Sequence, residues 1–214
     1  MTPLGGIIYI LPLHWNNDFN FFKKMEKRLL LIIDPQIDFI TGTLPVPGAE
    51  QAMDKLSDYV RQKGTQYERV VVTADYHPIS HISFKSNGGN WPCHCIADSV
   101  GAAIWPTLMT SFFYYPEKIK ILHKGNNPNK EEYSIFKNQD SGEELINIIK
   151  QQNIDIIDVC GLSGDVCVLD TIKDMLSLID KVKINVLKEF TSSIDGGEAL
   201  NSIIENKNLS CDQL

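Results

Sequence analysis

A chain of 214 residues, 43% hydrophobic and 22% charged, is long enough to bury one sizeable core and short enough to form one catalytic domain. Its formal net charge of −7, without any stripe of lysine and arginine, excludes nucleic acid as the natural partner. Five cysteines, an odd set at uneven spacing, argue against a disulfide framework and for reduced thiols in a cytoplasmic protein.

The first apolar stretch, residues 5–13, contains Pro12, is too short to span a bilayer and follows no basic residue. No membrane partner is expected from it. Residues 1–24 read as an irregular extension, or as an upstream start that the fold does not require, ahead of Met25. The domain itself is expected over 25–208, with a short tail at 209–214.

From there the elements alternate. Apolar, β-branched runs at 29–33, 70–73, 119–122, 154–159 and 184–187 have the length and composition of strands buried on both faces. Between and after them, residues 49–62, 143–151, 166–178 and 197–205 repeat apolar side chains at three- and four-residue spacing, the mark of amphipathic helices. Strand alternating with helix predicts an α/β fold: three layers, doubly wound, a mostly parallel sheet with helices on both faces. Segments 86–90 and 125–130 are polar loops rich in glycine and asparagine.

In an open α/β sheet the ligand crevice lies beyond the carboxyl ends of the strands, so chemistry is sought where strands stop. Asp34, Asp75, Lys124 and Cys160 stop strands, and Cys167 begins a helix after the small-residue turn Gly161-Leu162-Ser163-Gly164-Asp165-Val166. A thiol at a helix N-terminus is favoured as thiolate and lies beside amide N–H groups that can hold an oxyanion. A serine nucleophile is ruled out at this turn, because the G-x-S-x-G elbow needs glycine where Asp165 stands. Asp34 is suited to take the thiol proton and return it to a leaving amine, and Lys124 to hold carboxylate and thiolate together.

A second group of donors follows Thr73: Asp75 and His77 two residues apart at a strand end, then His81 and His94 from the next loop. Such a mixed oxygen and imidazole set suits a reactive divalent metal, zinc first, with iron and manganese as alternatives. Cys93 and Cys95 flank His94, but no second pair completes a structural zinc site.

Taken together these motifs make the chain resemble the nicotinamidase branch of the isochorismatase-like cysteine hydrolases. The resemblance runs from about Arg28 to Asn206 and rests on Asp34-Pro35-Gln36-Ile37-Asp38-Phe39, Asp75-Tyr76-His77, Trp91-Pro92-Cys93-His94, His123-Lys124-Gly125 and Gly161-Leu162-Ser163-Gly164-Asp165-Val166-Cys167-Val168. It implies an Asp34, Lys124, Cys167 catalytic triad, metal ligation by Asp75, His77 and His94, and a cis peptide at Leu162-Ser163 that turns the Ser163 N–H toward the Cys167 N–H as an oxyanion hole. His81 lies outside the matched motifs and joins the ligand set only through its nearness in the chain. Phe39 and Trp91 fall where the family holds a pyridine ring, with Tyr133 as a further wall.

The reaction so implied is hydrolysis of nicotinamide, and of pyrazinamide, to the acid and ammonia within NAD salvage, by a protein expected to be a homo-oligomer. The alternatives are another amidohydrolase of the same scaffold, acting on an N-carbamoyl or ureido compound, and a catalytically silent metal-binding protein. Asp75, His77 and His94 argue against isochorismatase proper, whose branch usually lacks them.

Overall fold

The computed structural model describes residues 25–211; the expected extension over 1–24 and the last three residues of the expected tail lie outside them. In chain order the elements are β1 (Arg28–Ile33), α1 (Ile37–Ile40), α2 (Ala49–Lys63), β2 (Tyr67–Asp75), α3 (Pro106–Phe112), β3 (Ile119–Lys124), α4 (Gln139–Gln152), β4 (Ile156–Gly161), α5 (Cys167–Leu178), β5 (Lys183–Thr191) and α6 (Glu198–Lys207). The five strands pair in the order β3-β2-β1-β4-β5, and every pairing is parallel.

Strand alternation divides the core into two layers. Leu30 and Ile32 of β1 pack with Met53, Leu56 and Val60 of α2, while Leu29, Leu31 and Ile33 pack with Leu145 of α4 and with Ile172 and Met175 of α5. All five of these β1 side chains are fully buried, which explains why the strand reads as an unbroken apolar run rather than an alternating one. Burial of each contributes roughly 1.5–3 kcal/mol before the entropy of ordering is charged against it.

Several bounds differ from the sequence expectation for local reasons. β2 begins at Tyr67, because pairing with β1 carries Glu68 and Arg69 into the strand despite their polarity. α4 begins at Gln139, where the Asn138 side chain accepts from the Ser141 N–H and caps a first turn that has no apolar periodicity. The short helices α1 and α3 fall below the length at which a period can be read. Ser210, assigned to the tail, bridges Asn185, and its carbonyl accepts from the Val186 N–H, so the described part of that tail attaches to the sheet edge.

The connections leave β1 toward β2 on one side and enter β4 on the other, so the topological switch point lies between β1 and β4. There Ile33 is in register with Gly161. A Cβ on Gly161, which has φ of +123°, would fall 2.1 Å from the Ile33 carbonyl oxygen, so only glycine permits this approach. The crevice that this topology predicts opens beyond that pair.

Candidate active site

Three strand ends and one helix start deliver the side chains. Asp34 follows β1, Asp75 closes β2, Lys124 closes β3 in register with Asp75, and Cys167 is the first residue of α5. Asp34 has φ of +45°, a left-handed turn uncommon outside glycine. Its N–H donates to the carbonyl and hydroxyl oxygens of Thr73, and the Thr73 hydroxyl donates to Asp34 Oδ1 at 2.7 Å.

Lys124 sits at the centre, with 1% of its side chain exposed. Its Nζ lies 2.6 Å from Asp75 Oδ1, 2.8 Å from Asp34 Oδ2 and 3.8 Å from Cys167 Sγ. Both carboxylates are buried, so one ammonium is shared between two anions that water does not reach. Ligand atoms of Asp34, Asp75 and Cys167 all lie within 4.8 Å of one another.

The two carboxylates differ in what surrounds them. Burial pushes the Asp34 carboxyl above its ordinary value, and the neighbouring Asp75 charge adds to that against the pull of Lys124. Burial also penalises the Asp75 anion, but Lys124 and His77 hold its carboxyl well below the ordinary range. Burial opposes the Lys124 ammonium too; Asp34 and Asp75 outweigh it and hold the ammonium charged. Burial raises the Cys167 thiol, Lys124 lowers it, and the two carboxylates raise it further. Asp75 and Lys124 are therefore a fixed ion pair, whereas at Asp34 and Cys167 burial favours the protonated form of each.

Beside this pair Asp75, His77 and His94 bring ligand atoms within 4.8 Å of one another, all three residues buried. His77 Nδ1 lies 2.8 Å from the Gly125 carbonyl and His94 Nδ1 lies 2.8 Å from the Pro92 carbonyl, so each ring donates through Nδ1 and keeps Nε2 as a ligand atom. His77 Nε2 is 3.5 Å from Asp75 Oδ2. Gly125, with φ of +70°, is needed here, because a Cβ would fall 2.3 Å from the His77 ring. The set fits a divalent metal.

His81 is near but turned away. Its ring centroid is 4.2 Å from that of His77, yet Nε2 lies 3.0 Å from the Lys130 carbonyl and Nδ1 accepts from the Ser83 N–H. With both nitrogens facing backbone groups, it stands outside the three-residue cluster.

The Cys167 residue lines a narrow, largely apolar cleft. Phe39, Trp91 and Tyr133 line it, and the Trp91 indole N–H donates to the Tyr133 hydroxyl at 3.0 Å. At its floor the Leu162–Ser163 peptide is cis. Among the described residues neither the Ser163 N–H nor the Cys167 N–H has a backbone acceptor, and both residues line the cleft.

Other parts of the site escape the sequence reading. Gln36 is buried and clamps Asp75 by its backbone: Nε2 donates to the Asp75 carbonyl and Oε1 accepts from the Asp75 N–H, at 2.8 and 2.7 Å. Glu132 accepts from the Gly125 N–H and from Asn138, fixing the loop under His77. Leu44, Val46 and Ile194 complete the apolar wall. Gln36 is the one that a signal could have found, since it lies inside a motif already singled out.

A family model for the isochorismatase domain matches residues 28–196. Nicotinamidase of Escherichia coli (strain K12) is 32% identical over 181 residues, covering 75% of this chain and 81% of that protein. Nicotinamidase/pyrazinamidase of Mycobacterium tuberculosis is 30% identical over 188 residues, covering 86% and 96%. Among solved structures, pyrazinamidase of Pyrococcus horikoshii in complex with zinc superposes with a TM-score of 0.75 at 28% identity, covering 88% of this chain and 99% of that one.

Proposed function

The chain belongs to the isochorismatase domain family, and on that premise we propose that it hydrolyses nicotinamide, and pyrazinamide with it, to the carboxylic acid and ammonia. The observation that carries the reading is the environment of Asp34: buried, with Oδ2 2.8 Å from Lys124 Nζ and a carboxylate oxygen within 4.8 Å of the Cys167 thiol. A carboxylate so placed can take the thiol proton while the Lys124 charge holds the thiolate left behind.

The Cys167 S–H proton passes to Asp34, and the thiolate, held by the Lys124 charge, attacks the carboxamide carbon. The N–H groups of Ser163 and Cys167 donate to the oxygen as it gains charge, each contributing roughly 3–4 kcal/mol in the transition state. Asp34 returns its proton to the amine, ammonia leaves, and an acyl thioester remains on Cys167. Water then enters, Asp34 takes its proton, and the hydroxide breaks the C–S bond; the Cys167 thiolate recovers the proton and the acid departs.

Phe39, Trp91 and Tyr133 would sandwich the aromatic ring and exclude water around it. Asp75, His77 and His94 would hold a divalent metal, zinc first, with iron and manganese suited to the same donor atoms. When bound, it would supply a Lewis acid beside the ring. The aromatic walls orient the substrate before the thiol reacts.

Ammonia release from nicotinamide tests this. Turnover should appear in the metal-loaded protein, vanish on chelation, return when metal is restored, and be absent from Cys167→Ala. Hydrolysis of another small amide with none from nicotinamide would retain the thiol chemistry and reject the substrate.

A further inference from the structure

Ile194, one wall of the cleft, belongs to neither sheet nor helix; it stands in the loop 192–197 between β5 and α6 and leaves 46% of itself exposed. It therefore sits at the mouth. Three hydrogen bonds tie its loop to the turn that carries the nucleophile. Asp165 Oδ1 accepts from the Ile194 N–H at 3.1 Å, Asp165 Oδ2 accepts from the Asp195 N–H at 3.0 Å, and the Gly164 N–H donates to the Ser192 carbonyl at 2.8 Å.

The use of Asp165 is unexpected for its position. The N-cap of α5 is Val166, which has no side-chain acceptor, and the neighbouring Asp165 does not cap the helix in its place. Both carboxylate oxygens instead cross to another segment of chain. The close approach is built in: a Cβ on Gly164 would fall 2.2 Å from Ser193 Oγ. Beyond Ile194 the chain is permissive, with Gly196 and Gly197 both at positive φ. Asp195 then accepts from the N–H groups of Gly197 and Ala199 and fixes the start of α6. Without Asp165, the Ile194 and Asp195 N–H groups lose their acceptor and turn to water, and of the three bonds to the nucleophile turn only the Gly164–Ser192 one remains.

We propose that Asp165 is a positioning residue that holds Ile194 across the mouth of the cleft, and that Ile194 sets how large a ring substituent an aromatic carboxamide can carry past it. The inference rests on the cleft being the substrate site of the reaction above. It assigns Asp165 no contact with the reacting atoms.

The test compares kcat/KM for nicotinamide and for a ring-alkylated nicotinamide in the wild type, Asp165→Ala, Ile194→Ala and the double variant. Each single variant is expected to raise the ratio of alkylated to parent amide by about tenfold, the scale on which a hydrophobic pocket discriminates a few methylenes. For nicotinamide itself the change should fall on KM rather than kcat. Because Asp165 acts through Ile194, the double variant should go no further than either single one. Asp165→Asn, which keeps one acceptor oxygen, should fall between wild type and Asp165→Ala. A ratio unchanged in the single variants, or one that multiplies in the double variant, overturns the proposal.

Should Asp165→Ala fail to fold, Ile194→Ala and Asp165→Asn carry the same comparison. If the wild type releases no ammonia from nicotinamide, the proposed reaction fails by itself, and the mouth is measured by alkylation. Rates at which iodoacetamide and an N-naphthyl iodoacetamide label Cys167, read from the mass of its peptide, then replace kcat/KM. A relative gain for the naphthyl reagent in both variants supports the gate; an unchanged ratio rejects it.

Discussion

β1 begins on a part-buried ion pair and ends on a fully buried one, and the two differ in what else lies against the carboxylate. At its start Arg28 meets Asp158 of β4 through two parallel hydrogen bonds of 2.6 and 2.8 Å, and Asn185 donates to the same carboxylate at 2.7 Å. Past its end Lys124 meets Asp34 and Asp75, and the Cys167 thiol, which lines the cleft, lies against the same carboxylates. A carboxylate whose neighbours are arginine and asparagine ties strands together. One beside a thiol can move a proton. Burial alone therefore does not identify the working charge; the acid it faces does.

The largest effect is expected from removing each cation in turn. Lys124→Met strands two buried carboxylates and should cost about 3–5 kcal/mol of stability, together with loss of turnover. Arg28→Met strands one, and 30% of the Arg28 side chain already meets water, so about 2–3 kcal/mol is expected. Its kcat per folded molecule should be unchanged. Denaturant titration and active-site-normalised kinetics check both, and a loss of kcat in Arg28→Met would erase the distinction between the two ends.

Asp34→Asn sharpens the comparison at the next level. General-base chemistry is removed, so kcat should fall by about 10²–10⁴. Stability should not fall with it. The Asp34 carboxyl is raised above its ordinary value of 3.8, so the fold prefers the neutral form, and its ionisation costs stability as pH rises from 3.8 through the raised value. Asparagine is neutral throughout and escapes that cost. In the wild type kcat/KM should decline as pH falls through the same raised value, because the proton acceptor is lost. A pH profile whose acid limb lies at 3.8 or below would contradict the burial argument.

The smallest effect concerns the wall. Trp91→Phe keeps an aromatic face but removes the donor to the Tyr133 hydroxyl. A loss of about 0.5–1.5 kcal/mol is expected, seen in KM with kcat retained.

How much of this was legible in the sequence follows from what each residue does. Asp34, Asp75 and Lys124 end apolar strands and Cys167 starts a helix, so element boundaries alone place them at the carboxyl edge of a parallel sheet. The five strands and four longer helices were legible for the same reason, since each carries its own period or run. Residues that act by hydrogen bonding across elements were not. Gln36 reaches 39 residues along the chain to clamp Asp75, and Asp165 reaches about 30 to hold Asp195. Both lie inside motifs that mark the region, but nothing local says which partner either side chain reaches. His81 is the converse case, for its spacing beside His77 suggests a ligand while its ring nitrogens meet the Lys130 carbonyl and the Ser83 N–H.

The central claim is that Cys167 carries the acyl group while Asp34 moves the proton. The most direct measurement is acid-quenched peptide mass analysis of metal-loaded protein mixed with nicotinamide, with hydroxylamine added to a parallel sample. The expected result is a nicotinoyl mass on the Cys167 peptide during turnover, released by hydroxylamine and absent from Cys167→Ala. Ammonia released at an undiminished rate by Cys167→Ala would contradict it.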